Sequence, residues 1–289
     1  MKSPTRRGRH AAWVLLAAGL APWAPVGATT VTLNVDFEAP TYATGAINSP
    51  ATNPNLEAGQ GGWGGFSSAA ISTAHAHSGT QSMFTQAWTG FYPAMIYKPL
   101  SGGSYAGINP NPGAVTPFSI GAAQDWWVQA HVLIERGGSA RMALQNGLGA
   151  CPLLDIGSNA PSAAGVPHVN GCITDATYAP LGDALYDQWL RLEMIHTAGS
   201  AALTFRINGN GIDRTMTLSA YGGPGSTAAV NYLGLAGAAY WDDIRAGTGA
   251  LPTAGGPPPV GGLPEPASLW LAAVGLAGAA ETLHRRARR

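Results

Sequence analysis

The sequence predicts an all-β sandwich, and three observations favour this class. Short runs of alternating apolar and polar residues recur through the body of the chain, with the period of two that is typical of half-buried strands. Glycine and proline are abundant, at 40 and 22 of 289 residues, which favours turns over long helices. The body shows no amphipathic helical period. About ten short strands separated by turns would form a sandwich or a barrel.

The first element is a predicted signal helix in residues 1–28. A basic start is followed by the apolar run AAWVLLAAGL (11–20) and by small residues up to Ala28. We therefore expect a secretory signal peptide that is cleaved after Ala28. The Arg6-Arg7 pair leaves the twin-arginine route as an alternative, although the residues after the pair fit general secretion better.

Strands are predicted in the first half of the body wherever apolar residues alternate. Residues 31–37 (VTLNVDF) alternate strictly, and a second strand is predicted at 81–88. The strongest strand is 126–135 (WWVQAHVLIE), whose alternate residues would face the core. The turn residues at 136–139 (RGGS) predict that 140–145 returns beside this strand as a hairpin.

The second half begins with a segment of no clear period, and residues 147–186 are predicted to be an irregular insertion. Strands resume at 189–196 (WLRLEMIH) and at 201–207. The sequence NGNG at 208–211 predicts a tight hairpin turn. A last strand is predicted at 239–246 (AYWDDIRA).

These elements predict a single domain, residues 29–247, followed by a Pro/Gly-rich linker at 248–262 and a distinct tail at 263–289. Eight of the 15 basic residues, but only two of the 15 acidic residues, lie in the two ends. Residues 29–262 therefore carry a net charge of about −6. An acidic body argues against nucleic acid as a partner.

Two cysteines, Cys151 and Cys172, lie in the predicted insertion. An isolated pair in an exported chain most simply forms one disulfide. Closing a loop of about 22 residues would contribute roughly 3 kcal/mol in the chain-entropy model. Two free thiols are the alternative. A metal site is less favoured, because His168 is the only imidazole nearby in the sequence.

The tail combines three signals. The triplet Pro264, Glu265 and Pro266 precedes an apolar run at 267–280. These 14 residues would give about 21 Å of helix against a hydrocarbon core of about 30 Å, which predicts a short transmembrane helix. A basic anchor follows, and the positive-inside rule would keep it cytoplasmic. It consists of Arg285, Arg286, Arg288 and Arg289.

This order of triplet, apolar helix and terminal arginines resembles the PEP-CTERM sorting signal of Gram-negative bacteria. The resemblance implies that the membrane protease exosortase recognises and cuts the tail. It also implies a chain that crosses the inner membrane, is anchored there transiently and then reaches the cell surface or the extracellular space. PEP-CTERM carriers often accompany exopolysaccharide production. An ordinary C-terminal anchor is the alternative.

Three motifs in the body, DFE at 36–38, HSGTQS at 77–82 and YWDDI at 240–244, resemble extracellular jelly-roll modules. The similar groups are the concanavalin A-like lectin and glucanase domains and the carbohydrate-binding modules, so the resemblance implies a jelly-roll β-sandwich. In many such modules the first and last strands are neighbours and hold a structural calcium ion. The matching calcium ligands would be Asp36, Glu38, Asp242 and Asp243. Edge-exposed acids that only solubilise the sandwich are the alternative.

Tryptophans are numerous for one domain, and exposed indole faces stack on sugar rings. Trp63 lies among glycines in a predicted loop, and Trp127 points away from Trp126 on one strand. We therefore interpret Trp63 and Trp127 as candidate glycan-binding residues. Burial in the core is the alternative for each.

No motif predicts catalysis. The Glu-x-Asp-x-x-Glu spacing of the retaining glucanases with this fold is absent, and the sequence holds no nucleophile elbow and no zinc-protease motif. His75 and His77 would share a face of an extended segment, but two histidines without a third ligand are a weak metal signal. His131 lies inside a predicted strand and is interpreted as a packed or surface histidine.

The combined hypothesis is an exported, non-catalytic surface or extracellular-matrix protein that binds polysaccharide. A purely structural or adhesive biofilm protein without a ligand site is the first alternative, and a polysaccharide-acting enzyme without a recognisable motif is the second. Exposed tryptophans on a sheet would favour binding. Burial of every tryptophan would favour the structural role, and a deep cleft lined by paired acids would favour the enzyme.

Overall fold

The computed structural model describes residues 29–47, 58–65, 68–86, 95–100, 124–145, 150–157, 165–170, 175–200, 202–218 and 232–252. The predicted signal helix, the sorting triplet Pro264, Glu265 and Pro266, the basic anchor and Cys172 lie outside these residues, as does the side chain of Cys151. The predictions that concern them therefore stay predictions. Within the described segments, no helix is long and apolar enough to cross a membrane.

The described strands, numbered along the chain, form two antiparallel sheets, of which the larger has nine strands. These are β1 (Thr30–Val35), β2 (Gly45–Ala46), β4 (Ala69–Ser72), β5 (Ser82–Thr85), β7 (Trp126–Leu133), β12 (Trp189–His196), β13 (Leu203–Gly209), β14 (Ile212–Leu218) and β16 (Ala239–Thr248). Their spatial order is β14-β13-β12-β7-β16-β5-β4-β2, and β1 pairs with β16.

The smaller sheet has seven strands. These are β3 (Gly64–Gly65), β6 (Ile96–Pro99), β8 (Ala140–Gln145), β9 (Ala150–Ile156), β10 (Pro167–Asn170), β11 (Asp175–Thr177) and β15 (Tyr232–Ala236). Their order is β11-β10-β9-β8-β15-β6-β3. Two short 3-10 turns, Gln60–Gly62 and Gly182–Leu185, complete the described secondary structure.

The core lies between the two sheets. Val128 and Val132 on β7 belong to the same buried cluster as Met142, Leu144 and Leu154 on the smaller sheet. Because each strand presents alternate side chains to this layer, the hydrophobic residues of both sheets interdigitate as in a β-sandwich. The prediction of an all-β sandwich is confirmed, and the described residues contain no α-helix.

The strongest sequence patterns give the most accurate strands. β12 spans Trp189–His196 as predicted, and β7 begins at Trp126 as predicted. The hairpin turn is also confirmed, because β13 and β14 pair across Asn210 and Gly211, which both have positive φ angles of 47° and 78°. Such angles are those that asparagine and glycine adopt in tight hairpins.

The predicted hairpin at 136–139 is wrong. β7 belongs to the larger sheet and β8 to the smaller one, so the four-residue turn crosses from one sheet to the other. Both edges of β7 are already paired, with β12 and β16, and no position beside it remains for β8. The crossing is tight, since a Cβ atom at Gly138 would collide with the carbonyl oxygen of Ala238.

The predicted irregular insertion is also wrong in part, because residues 147–186 contribute three strands. β9, β10 and β11 pair in sequence and form one edge of the smaller sheet. β10 and β11 have only four and three residues, so their alternation is too brief to be recognised as a period. β9 has seven residues, but Pro152 and the adjacent pair Leu153 and Leu154 interrupt its alternation.

Candidate functional site

The candidate site lies in the middle of β16, at the point where the neighbouring strand on one edge changes from β5 to β1. β5 pairs with the first part of β16, up to Trp241, and β1 pairs with the second part, from Ile244 onward. Asp242 and Asp243 lie between these two pairings. The register with β7 shifts between Asp242 and Arg245, and Asp243 has a φ angle of 44°. This strand junction, defined as Asp242 and Asp243, is therefore a bulge that re-aims two carboxylates.

A turn formed by residues 77–81, here called the clamped turn, fills the strand junction. The amides of His77 and Ser78 donate hydrogen bonds of 2.8 and 3.1 Å to Asp242 Oδ2. The amide of Asp243 donates to Asp242 Oδ1 at 2.8 Å. Burial raises the pKa of the Asp242 carboxyl to about 6, although these three backbone hydrogen bonds act in the opposite direction.

Glu38, just after β1, holds the other side of the clamped turn. Its carboxylate accepts hydrogen bonds from the Thr80 amide at 2.7 Å, the Thr80 hydroxyl at 2.9 Å and the Gln81 amide at 2.9 Å. The bond from the Thr80 amide is the largest of the causes that lower the pKa of Glu38. Gly79 has a φ angle of 62°, and a Cβ there would collide with this carboxylate.

The predicted pairing of the first and last strands is found in β1 and β16. Of the four acids predicted as calcium ligands, Glu38, Asp242 and Asp243 accept hydrogen bonds from the clamped turn, whereas Asp36 lines a separate cleft. Their oxygens are largely occupied, because Glu38 and Asp242 accept backbone hydrogen bonds and Asp36 Oδ1 accepts one from the Glu38 amide at 3.2 Å. In the described part of the chain, no three of these four carboxylates bring ligand atoms within 4.8 Å of one another. The assignment of calcium to these four acids therefore stays a prediction, because calcium can complete its six to eight oxygens with backbone carbonyls and water.

Two histidines and one aspartate come together at the strand junction. The ligand atoms of His77, His131 and Asp243, here called the histidine–aspartate cluster, all lie within 4.8 Å of one another. The two imidazole rings are stacked, with centroids 3.7 Å apart and planes 11° apart. His77 Nδ1 and Asp243 Oδ2 are hydrogen-bonded at 2.6 Å, and the Ser78 hydroxyl donates to Asp243 Oδ1 at 2.8 Å.

His131 is held as a neutral imidazole in this cluster. Burial is the main cause that lowers its pKa to about 4, and the neighbouring His77 adds to the effect. Its Nδ1 atom is buried and lacks a hydrogen-bond partner among the described residues. The sequence gives no signal that His131 meets His77, because their contact depends on which strands are neighbours in the sheet.

The cluster lies at one end of a larger polar face on the outer side of the nine-stranded sheet. Alternation puts Trp127, Gln129 and His131 on the side of β7 that faces away from the core. Cross-strand register extends this face across three further strands. The polar face consists of Trp127, Gln129, His131, Trp189, Arg191, Glu193, Arg206 and Arg245.

Glu193 is the centre of an ionic row on the polar face. Arg191 Nε lies 2.9 Å from Glu193 Oε1, and Arg206 Nη1 lies 3.8 Å from Glu193 Oε2. Desolvation is the largest influence on Glu193 and raises the pKa of its carboxyl, while the two arginines lower it. The Glu193 side chain is only 2% exposed, whereas the Arg206 side chain is 43% exposed at the rim.

The polar face has hydrogen-bonding capacity that the described residues do not use. Buried polar atoms in proteins nearly always have a partner, and leaving one unpaired costs about 1–3 kcal/mol. Within the described segments, five buried side-chain atoms of this face have none. They are Trp127 Nε1, His131 Nδ1, Arg191 Nε (which is near Glu193 but not aligned with it), Glu193 Oε2 and Arg245 Nε.

Both tryptophans predicted to bind glycan are buried, so the expectation of exposed indoles is corrected. Trp63 is 0% exposed: the glycines beside it form a 3-10 turn, not an open loop, and its Nε1 donates to the Tyr42 hydroxyl at 3.2 Å. Trp127 is 1% exposed and packs over Gly247, where a Cβ would crowd the indole. Among the described tryptophans, only Trp189 is not fully buried.

A separate cleft of about 420 Å³ lies beside β1, on the opposite side of this strand from β16. Its lining includes Asn34, Asp36, Tyr42 and Lys98. Burial lowers the pKa of Lys98, whose ammonium donates to the carbonyl oxygen of Gly61 at 2.5 Å. Asp36 is the only acid among the described residues of the lining.

No family model and no curated protein matches the chain. Solved structures similar to it include the CBM2 module of Lactobacillus casei BL23 phage J-1 evolved Dit, at 10% identity and a TM-score of 0.43, covering 78% of this chain and 98% of that one.

A lectin from Bauhinia forficata in complex with GalNAc is 7% identical, with a TM-score of 0.39 and coverages of 72% and 98%. The Caenorhabditis elegans galectin LEC-6 is 12% identical, with a TM-score of 0.32 and coverages of 47% and 92%. At such low TM-scores and identities, these likenesses carry no argument about the site or its function.

Proposed function

We propose that this chain is an exported, non-catalytic surface or matrix protein that binds polysaccharide through the polar face. The ionic row on the outer side of the sheet is the observation that carries the proposal, because the side chains of Arg191 and Arg206 are 26% and 43% exposed there. A glycan hydroxyl both donates and accepts hydrogen bonds, so it can accept hydrogen bonds from these guanidinium groups. Trp189, half-buried beside these groups, offers an aromatic surface for a sugar ring.

The charge of the polar face favours an acidic polysaccharide over a neutral one. Arg191, Arg206 and Arg245 contribute three guanidinium groups around the carboxylate of Glu193, while the carboxylates of Asp213 and Asp243 lie at the edges of the face. A guanidinium pairs with a carboxylate through two parallel hydrogen bonds, which a uronic acid residue supplies. The centre of the binding face would therefore be basic even though the body as a whole is acidic.

We also propose that the sandwich is a jelly roll and that the chain is exported and processed by exosortase. The pairing of β1 with β16 and the three sequence motifs support a jelly roll of the lectin or carbohydrate-binding type. The predicted signal peptide, sorting triplet and basic anchor support export, transient anchoring in the inner membrane and processing by exosortase.

Retention of the purified chain on immobilised polysaccharides tests the binding proposal. The panel contains two polyuronates, a neutral β-glucan and a neutral galactan. We expect retention on a polyuronate, and we expect Arg206→Ala to weaken it about tenfold, because one charged hydrogen-bonding group at the rim is removed. Arg136→Ala is the matched control, since Arg136 is an exposed arginine on the turn between the sheets, away from the polar face.

Equal weakening by the two substitutions would refute the polar face as the binding surface. Absence of retention on every polymer would favour the structural or adhesive role instead. Release of new reducing ends from any polymer would overturn the non-catalytic assignment. Asn34→Ala, in the cleft beside β1, shows whether that cleft takes the glycan in place of the polar face.

A further inference from the structure

Three parts of the chain that are distant in sequence meet at the histidine–aspartate cluster. His77 comes from the clamped turn, His131 from the middle of β7 and Asp243 from the bulge of β16. Their ligand atoms lie within 4.8 Å of one another. Ligand atoms about 2.0–2.1 Å from a tetrahedral ion are about 3.3 Å apart. Because the two imidazole rings are stacked, one of them has to rotate out of the stack before nitrogens of both rings can point at one ion.

We propose that His77, His131 and Asp243 bind a divalent transition-metal ion of the zinc class. Two imidazole nitrogens and one carboxylate oxygen form a donor set that suits Zn²⁺ and neighbouring metals, whereas Ca²⁺ and Mg²⁺ prefer oxygen alone. Three protein ligands would leave a fourth position for water or another ligand. This inference is independent of glycan binding, because it concerns only one end of the polar face.

The state of each ligand supports metal binding. His131 Nδ1 is buried and has no hydrogen-bond partner in the described part of the chain, so no hydrogen bond to this atom has to be broken when the imidazole binds an ion. His77 and Asp243 already share a hydrogen bond of 2.6 Å, which an ion inserted between them would replace. The His77 side chain is 33% exposed, which gives the ion a path from solvent.

The surroundings would hold the ligands in place. Ser78 donates its hydroxyl hydrogen bond to Asp243 Oδ1, leaving Oδ2 as the atom directed at His77. Asp242 fixes the backbone of His77 and Ser78 through two hydrogen bonds. Such outer hydrogen bonds orient metal ligands, and their loss typically weakens metal affinity about 10- to 100-fold.

Calorimetric titration of the chelator-treated full chain with Zn²⁺, and separately with Ca²⁺, tests the proposal. We expect one saturable Zn²⁺ site, a higher melting temperature with Zn²⁺, and no comparable effect of Ca²⁺. Titration with Co²⁺ gives an independent readout, because imidazole and carboxylate ligation of this ion produces visible absorption bands.

The substitutions His77→Ala and Asp243→Asn each remove one ligand, and we expect each to weaken Zn²⁺ binding at least about 100-fold. Asparagine suits position 243 because it tolerates a positive φ angle. Ser78→Ala is expected to weaken binding about tenfold, since it removes only an outer hydrogen bond. His75→Ala is the matched control: His75 is a partly exposed histidine two residues away that pairs with Glu135.

The proposal is overturned if no stoichiometric Zn²⁺ site appears, or if His75→Ala weakens binding as much as His77→Ala. A site that takes Ca²⁺ but not Zn²⁺ would also overturn it and would favour the predicted calcium ligands Asp36, Glu38, Asp242 and Asp243. Normal melting curves of the metal-free variants would show that a loss of binding does not come from unfolding.

Discussion

Among single residues, Glu193 is the clearest case in which a charged group of the polar face lowers the stability of the fold, because its carboxylate is buried. Its carboxyl is buried, and desolvation raises its pKa above the usual range. A carboxyl with a raised pKa in the folded state binds its proton more tightly there than in the unfolded chain. Its contribution to stability is therefore most favourable at low pH and is lost as the pH rises through the folded-state pKa.

Replacing Glu193 with glutamine is expected to flatten this pH dependence. The amide cannot ionise, so the variant should become progressively more stable than the native chain as the pH rises from about 4 to about 7. Melting temperatures measured across that range check the expectation. Asp213→Asn, an exposed substitution on β14, should show no such trend. A constant difference between E193Q and the native chain would contradict the argument.

At the scale of elements, the clamped turn depends on contacts from two strands that are neighbours only in space. Glu38 reaches it from the end of β1, and Asp242 reaches it from β16. We expect Glu38→Ala to lower the free energy of unfolding by about 1 kcal/mol, a modest value because the carboxylate is partly solvated. Urea denaturation measures the loss.

The control for this substitution is Glu135→Ala, which removes an exposed carboxylate with a single histidine partner. Its effect should fall within about 0.5 kcal/mol. If both variants lose the same stability, the three hydrogen bonds of Glu38 do not stabilise the turn.

The sequence predicts strands where apolar and polar residues alternate over a long run, but it does not predict which side chains meet at the candidate site. The eight residues of β12 alternate without interruption, and their bounds were predicted correctly. Trp63 was misread because glycines predict a loop, while here they allow a turn that buries the indole against Tyr42. His77 and His131 meet only because β5, β16 and β7 are neighbours in that order, which local periodicity does not encode.

For the whole molecule, export and anchoring are the properties to test. The predicted exosortase route means that the full chain, expressed in its native host, should first sediment with the inner membrane and later appear outside it with a lower mass. Replacing Pro264, Glu265 and Pro266 by alanine should leave the chain in the membrane. Fractionation followed by mass spectrometry checks both outcomes, and an unshortened chain outside the cell would contradict them.

Because β16 joins three strands of the larger sheet, its position in the sequence determines when that sheet can be completed during folding. This strand is the last one described, yet it pairs with β1, β5 and β7, and among the described strands β1 has no other neighbour. A chain that emerges from its N-terminus onward therefore cannot close the larger sheet until nearly 250 residues have emerged. Hairpins such as β13–β14 can pair earlier, but the native larger sheet is complete only once β16 is available.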